Sequence, residues 1–287
     1  MKLSTTLALA VLALISVPAL GQRKCATDQV MKNVFQSDPQ AKLRYETTRR
    51  LIDQKVDQYL SRTQQLRTTA IITIPVVVHI AISNPALVTD QIVQNQIDTL
   101  NRYYGAAPGG ADSLRVYTPF RTAYGRSQIR FCLAKRTPDG QSTTGITRRT
   151  TAAKFEADAN HPSSTIPAWN TTKYLNIWVV DFTDNTLGYS FLPGAFAPGD
   201  QRAGFVVGFR YFGAGGSYLN SRYNAGKTAV HEIGHYFDLL HPWGDDLNPN
   251  CAPGDGFSDT PPTDEPTDGC PSGPVPSNCS AATSGVM

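Results

Sequence analysis

A chain of 287 residues with 17% charged and 40% hydrophobic residues has an ordinary globular balance and room for one or two domains with a sizeable core, which excludes disorder throughout. The 26 basic residues exceed the 23 acidic ones by only three. A net charge of +3 points neither to nucleic acid nor to a polybasic membrane-surface binder.

In chain order, Lys2, an apolar run from Leu7 to Val17 and the small-residue punctuation Ala19-Leu20-Gly21 read as a secretory signal peptide over residues 1–21. The run is too short to cross a bilayer, and no later stretch approaches the roughly 20 apolar residues a spanning helix needs. The sequence therefore predicts an exported, soluble protein without a membrane span. Residues 22–68 hold ten basic and five acidic residues, whereas the rest of the chain, Lys2 aside, has 15 basic and 18 acidic ones. This Gln-rich segment, poor in large apolar residues, reads as an extended or helical pro-region drawn to the remaining chain by opposite charge, with Arg62 and Arg67 as cleavage candidates. The alternative is an ordinary N-terminal helix of the mature domain, which is expected over 69–287.

From Ala70 a β-branched run through Ile74, Val76, Val77, Val78 and Ile80 predicts a buried strand. Thr89 then offers an N-cap to an amphipathic helix marked by Val93, Ile97, Leu100 and Tyr104, with Gly105 at its C-terminus. Further strands are expected over 128–136, 174–182 and 204–212, giving a mixed α/β lobe. Cys132, inside the first of these, reads as a small buried hydrophobe. His79 and His161 stand without company and read as structural or solvent-exposed residues.

The chemistry lies in His231-Glu232-Ile233-Gly234-His235-Tyr236-Phe237-Asp238-Leu239-Leu240-His241. Four residues apart on a helix, His231 and His235 share a face and suit one Zn²⁺, while Glu232 is placed as general base toward a water on the metal. Two residues compete as third ligand, His241 and Glu265, and His241 is preferred. If the helix ends near Asp238 and the chain turns there, His241 returns beneath the metal. Gly usually makes such a turn, and Asp tolerates the left-handed conformation better than most other residues. After His241 the chain is rich in Pro and has no Lys or Arg. Its cysteines Cys251, Cys270 and Cys279 read as disulfide staples. Asp255, Asp259 and Asp246 are candidate calcium ligands, or equally solvated loop acids.

With this motif, Ile74-Pro75-Val76-Val77-Val78-His79, Phe131-Cys132-Leu133-Ala134-Lys135-Arg136, Tyr174-Leu175-Asn176-Ile177-Trp178, Leu187-Gly188-Tyr189, Trp243-Gly244-Asp245 and Ser258-Asp259-Thr260-Pro261, the chain resembles the pappalysin family of metzincin metallopeptidases in its cytophagalysin-like bacterial branch. The resemblance implies an α/β (α+β) zincin-like fold with a twisted mixed sheet, a backing helix and an active-site helix. An upper lobe to about residue 241 would face an irregular, disulfide-stapled lower lobe over 242–287. It also implies zinc on His231, His235 and His241, Glu232 as general base, common calcium sites, and a pairing of Cys251 with Cys279. Metzincins carry a Met turn beneath the zinc, and the only Met after the motif is Met287, so the chain is expected to stop short of that turn.

Cys25, flanked by Arg23 and Lys24, is expected to favour its thiolate and to fill the fourth zinc position from the pro-region, keeping the enzyme latent. Related family members carry a similar cysteine. A disulfide to Cys132, or an unpaired residue in a mobile tail, are the alternatives. The expected function is a secreted zinc endopeptidase acting on proteins or peptides through a zinc-bound water activated by Glu232. A non-catalytic zinc-stabilised binding module and a zinc hydrolase of non-peptide amides are the competing classes.

Overall fold

The structure is a computed structural model, described for residues 24–61, 71–105, 127–157, 159–244, 254–257, 260 and 263. The signal-peptide residues, Arg62, Arg67, Asp246, Cys251, Asp259, Glu265, Cys270 and Cys279 lie outside the described residues. Among the described residues seven strands form one mixed sheet: β1 (Lys24–Cys25), β2 (Ile72–Ile82), β3 (Ile129–Leu133), β4 (Ile146–Thr150), β5 (Leu175–Val180), β6 (Thr186–Ser190) and β7 (Phe205–Gly208). The order is β1-β6-β7-β5-β2-β3, with β4 continuing along the edge of β2 beyond β3. Only β6 runs against its neighbour β7, and β1 lies parallel outside β6.

Side chains alternate across a strand, and the two faces of this sheet carry two separate cores. On one face Val76, Val78 and Ile80 of β2, Leu175, Ile177 and Val179 of β5, and Phe205 and Val207 of β7 pack against helices α3 (Asp90–Tyr104) and α4 (Lys227–Tyr236). Helix α3 starts as expected, with Thr89 Oγ1 accepting from Ile92 N at 3.3 Å, and Gly105 is its C-cap. It carries Val93, Ile97 and Leu100 into this core. On the opposite face Trp178, Val180, Val206 and Tyr189 meet Ala26, Val30, Met31 and Tyr45 from the N-terminal helices α1 (Thr27–Ser37) and α2 (Pro39–Ser61). The N-terminal segment is thus helical, with apolar burial of α1 and of Tyr45 in this core, and Arg49 of α2 reaches Asp255 O at 3.4 Å.

Three expectations are refined. The predicted strand at 204–212 ends at Gly208 and passes into one 3₁₀ turn, Phe209–Tyr211. Cys132 is exposed, because Phe131 and Leu133 take the buried positions of β3 and the alternation turns Cys132 outward. His79 and His161 fill the second core face, where each is held neutral. His79 sits between Thr147 Oγ1 (2.7 Å) and Asn176 Oδ1 (2.9 Å), stacked on Trp178, and burial pushes its pKa down to about 4.

Candidate metal centre

Helix α4 is fixed before it presents any chemistry. Gln96 of α3, fully buried, donates to Gly226 O (3.0 Å) at the start of α4 and accepts from Gly213 N (2.7 Å). Tyr104 donates to Val230 O (3.0 Å) one turn further on. At the far end Asp238 N donates to His235 O (2.9 Å) and Leu239 N to Gly234 O (3.0 Å), the paired bonds that close a helix around a left-handed residue. That residue is Asp238, at φ 72°, the only non-glycine with positive φ among the described residues. The turn expected from the sequence is present, and it carries His241 back toward the helix.

The three Nε2 atoms converge: His231 to His235 at 3.1 Å, His235 to His241 at 3.2 Å, and His231 to His241 at 3.3 Å. Two nitrogens each bonded to one tetrahedral Zn²⁺ at the usual length lie roughly 3.3 Å apart, so the spacing fits that ion. The outer nitrogens set the tautomers. His235 Nδ1 donates to Leu239 O (2.7 Å), and His241 Nδ1 donates to Asp28 Oδ2 (3.0 Å). Two bare Nε2 lone pairs therefore face each other at 3.2 Å, an arrangement that only a shared cation makes favourable. Burial and the two other imidazoles hold His235 neutral, its pKa pushed down to about 2.

The N-terminal segment closes the site. Ala26 N donates to Gly188 O (3.0 Å) and Ser190 N to Thr27 Oγ1 (3.0 Å), registering the segment on β6. Cys25 Sγ then lies 3.5 Å from His235 Nε2 and 3.6 Å from Glu232 Oε2, and its sulfur and the three imidazole nitrogens all fall within 4.8 Å of one another. A sulfur and a nitrogen on one tetrahedral zinc stand roughly 3.6 Å apart. Cys25 and Cys132 are both free thiols, so the alternative disulfide between them is not formed. Without a metal, burial, reinforced by the Glu232 carboxylate, pushes the thiol well above its ordinary value, so a thiolate at this place would depend on the metal it binds.

Glu232 is fully buried on α4, and burial pushes its pKa up to about 8. Its Oε2 accepts from Thr27 Oγ1 (3.4 Å), while its Oε1 is buried without a hydrogen-bond partner. Gly188 of β6 approaches it, and a Cβ there would stand 3.0 Å from Oε1 and 3.1 Å from Cγ. Trp243 stacks on His241 at 4.4 Å with planes 12° apart. Thr27, Asp28, Gly188 and Trp243 were not foreseen as site residues; only the close sequence spacing of Cys25, Thr27 and Asp28 hinted at a common purpose. Asp255 is buried, with Oδ1 accepting from Phe257 N (2.9 Å) in a local turn. Among the described residues no second group of metal-ligand side chains gathers.

The chain is similar to known metalloproteases. The family model described as pregnancy-associated plasma protein-A matches residues 161–280. Mature mirolysin of Tannerella forsythia, in complex with a cleaved peptide, is 36% identical, with 76% of this chain and 82% of that one covered at a TM-score of 0.66. A promirolysin mutant from the same organism is 34% identical, with 92% of this chain and 84% of that one covered at a TM-score of 0.74. Among curated proteins, an extracellular metalloprotease of Arthroderma otae is 29% identical over 213 residues, 71% of this chain and 64% of its own. One of Uncinocarpus reesii is 39% identical over 101 residues, 34% of this chain. The chain spans about a third (33%) of that relative's length.

Proposed function

Since the chain belongs to the pappalysin family of metallopeptidases, we propose that it is a secreted zinc endopeptidase made as a latent precursor, with residues 22–68 as its pro-region and 69–287 as its catalytic domain. The observation that carries this reading is the convergence of His231, His235 and His241 Nε2 atoms at 3.1–3.3 Å, beside the buried carboxyl of Glu232. Bound there, zinc would supply a Lewis acid that polarises a peptide carbonyl and acidifies a water. Glu232 takes a proton from the attacking water and returns it to the leaving amine. Its Oε2 lies 3.6 Å from Cys25 Sγ, so once the thiol is withdrawn a water in that place is within reach of the carboxylate. The edge strand β6 offers its backbone to an extended chain, as it does here to Lys24–Cys25.

Latency follows from the same contacts. Cys25 occupies the place where substrate and water would meet the metal, and Thr27 engages Glu232. The share of this chain that is matched rises from 76% against mature mirolysin to 92% against the pro-form, which supports reading the N-terminal segment as a pro-region. The extracellular relatives agree with an exported protein. Calcium on Asp255 and Asp259 belongs to the reading as a stabiliser of the loops after His241, and a calcium-selective chelator should then lower the melting temperature.

The test is degradation of an unfolded protein substrate by the processed enzyme. Glu232→Ala should abolish it while one zinc per chain is retained, and His241→Ala should strip the zinc whereas Glu265→Ala should not. Proteolysis that survives Glu232→Ala would overturn the assignment.

A further inference from the structure

Second contacts orient metal-binding imidazoles, and the two visible here have different origins. His235 is held by Leu239 O, four residues away in the same helix end, so its support is permanent. His241 is held by Asp28, 213 residues away in the N-terminal segment, with Oδ2 3.0 Å from Nδ1. The contact is well defined. His241 is 5% exposed, Trp243 stacks flat on its ring, and Asp28 side-chain exposure is 27%.

Asp28 is also placed rigidly. It sits in the first turn of α1, where a carboxylate is favoured by the helix dipole. The residues on either side fix it: Ala26 and Thr27 are bonded to β6, and Val30 and Met31 are buried in the core cluster with Phe191 and Leu192. Met31 Sδ also accepts from Leu192 N at 3.4 Å. A single rigid unit thus delivers Cys25, Thr27 and Asp28 to the site, and each meets a different part of it.

We propose that Asp28 is a positioning residue for the metal centre: it fixes His241 in the tautomer that leaves Nε2 bare, so that the pro-region helps the precursor take up and retain zinc in addition to blocking the site. This rests on the zinc reading above. Cys25 and Thr27 account for the blocking; a carboxylate on the far nitrogen of a ligand does nothing to exclude substrate. It does what such partners do for metal-bound imidazoles elsewhere, where their loss lowers metal affinity about 10–100-fold. The support leaves with the segment on maturation, so zinc is loaded under conditions that the mature enzyme no longer has.

The experiment uses the full-length precursor carrying Cys25→Ala and Glu232→Ala, which removes the thiol ligand and prevents self-cleavage. Zinc is added, and its transfer to an excess of chromogenic chelator is timed. Asp28→Ala and the near-isosteric Asp28→Leu should each release zinc about 10–100-fold faster than the parent. Asp28→Asn, which keeps an acceptor oxygen, should stay within a few-fold of the parent, and a residue that merely anchors the helix would not show this rescue. Zinc-free melting curves of parent and variants identify any variant that misfolds, and Asp28→Leu then stands in for Asp28→Ala. Equal release rates in all folded variants would overturn the proposal, as would release from Asp28→Asn as fast as from Asp28→Ala. A parent that binds no zinc would instead overturn the zinc reading itself.

Discussion

Gly188→Ala probes how the general base is held. At residue 188 a Cβ would stand 2.8 Å from Val206 O, 3.0 Å from Glu232 Oε1 and 3.1 Å from Glu232 Cγ. Carbon contacts are comfortable at about 3.5–4.0 Å, so the new methyl is roughly 0.5 Å too close to each neighbour. Val206 O belongs to β7, which pairs with β6 at this point, and it cannot retreat without opening the ladder. Relief at Val206 O therefore needs a small shift of β6 itself, and Glu232, the flexible neighbour, is displaced as well. Overpacking of this kind costs about 1–3 kcal/mol of stability. A displacement of about 1 Å can cost 100-fold in rate, so half of that should lower kcat about 10-fold. The assay is steady-state cleavage of a quenched peptide by the processed enzyme, with zinc content measured on the same sample. The expected variant keeps one zinc and loses kcat far more than it raises KM. Unchanged kcat, or loss of zinc along with it, would refute the reasoning.

Cys25→Ala should give a precursor that cleaves itself or a test substrate without prior processing, while the unmodified precursor stays silent; an equally silent variant would remove the thiol from the latency account. Asp238→Val places a β-branched residue at φ 72° and should cost about 1–2 kcal/mol and weaken zinc binding through His241, whereas Asp238→Gly should preserve both, as thermal melts and zinc titration would show. His79, neutral in the fold with its pKa lowered to about 4, should make stability fall with acid. The unfolded imidazole takes up its proton near pH 6.5 and the folded one only near 4, so the loss accumulates as pH falls between these values and approaches about 3 kcal/mol. Urea unfolding at pH 7.5 and pH 4.5 should show a smaller difference in His79→Gln than in the parent; parallel curves would contradict this.

Much of this architecture is legible in the sequence, for reasons that differ from element to element. The strands β2, β5 and β7 are dominated by apolar and β-branched residues because both faces are covered along most of their length, and such runs announce themselves. β4, Ile146-Thr-Arg-Arg-Thr150, lies along a sheet edge with an exposed end, and β6 carries Gly188 at its centre for the sake of Glu232, so neither has a clear strand signature. The imidazole cluster is legible because four-residue spacing is a helix property, and the turn at Asp238 because few side chains accept positive φ. The surroundings of the Cys25 thiol are not legible from Arg23 and Lys24, its neighbours in sequence, because burial and Glu232 surround it in space. Asp28 and Gly188 were invisible for the same reason: their partners stand 213 and 44 residues away, and no local pattern encodes either contact.

The most direct test of a zinc centre closed by its own pro-region is zinc K-edge X-ray absorption on the precursor, before and after the N-terminal segment is removed. The precursor should show three nitrogens at about 2.0–2.1 Å and one sulfur near 2.3 Å, and the processed enzyme should keep the nitrogens and replace the sulfur with oxygen. A precursor without sulfur in the zinc shell would contradict the latency account, and fewer than three imidazole nitrogens would contradict the metal centre itself.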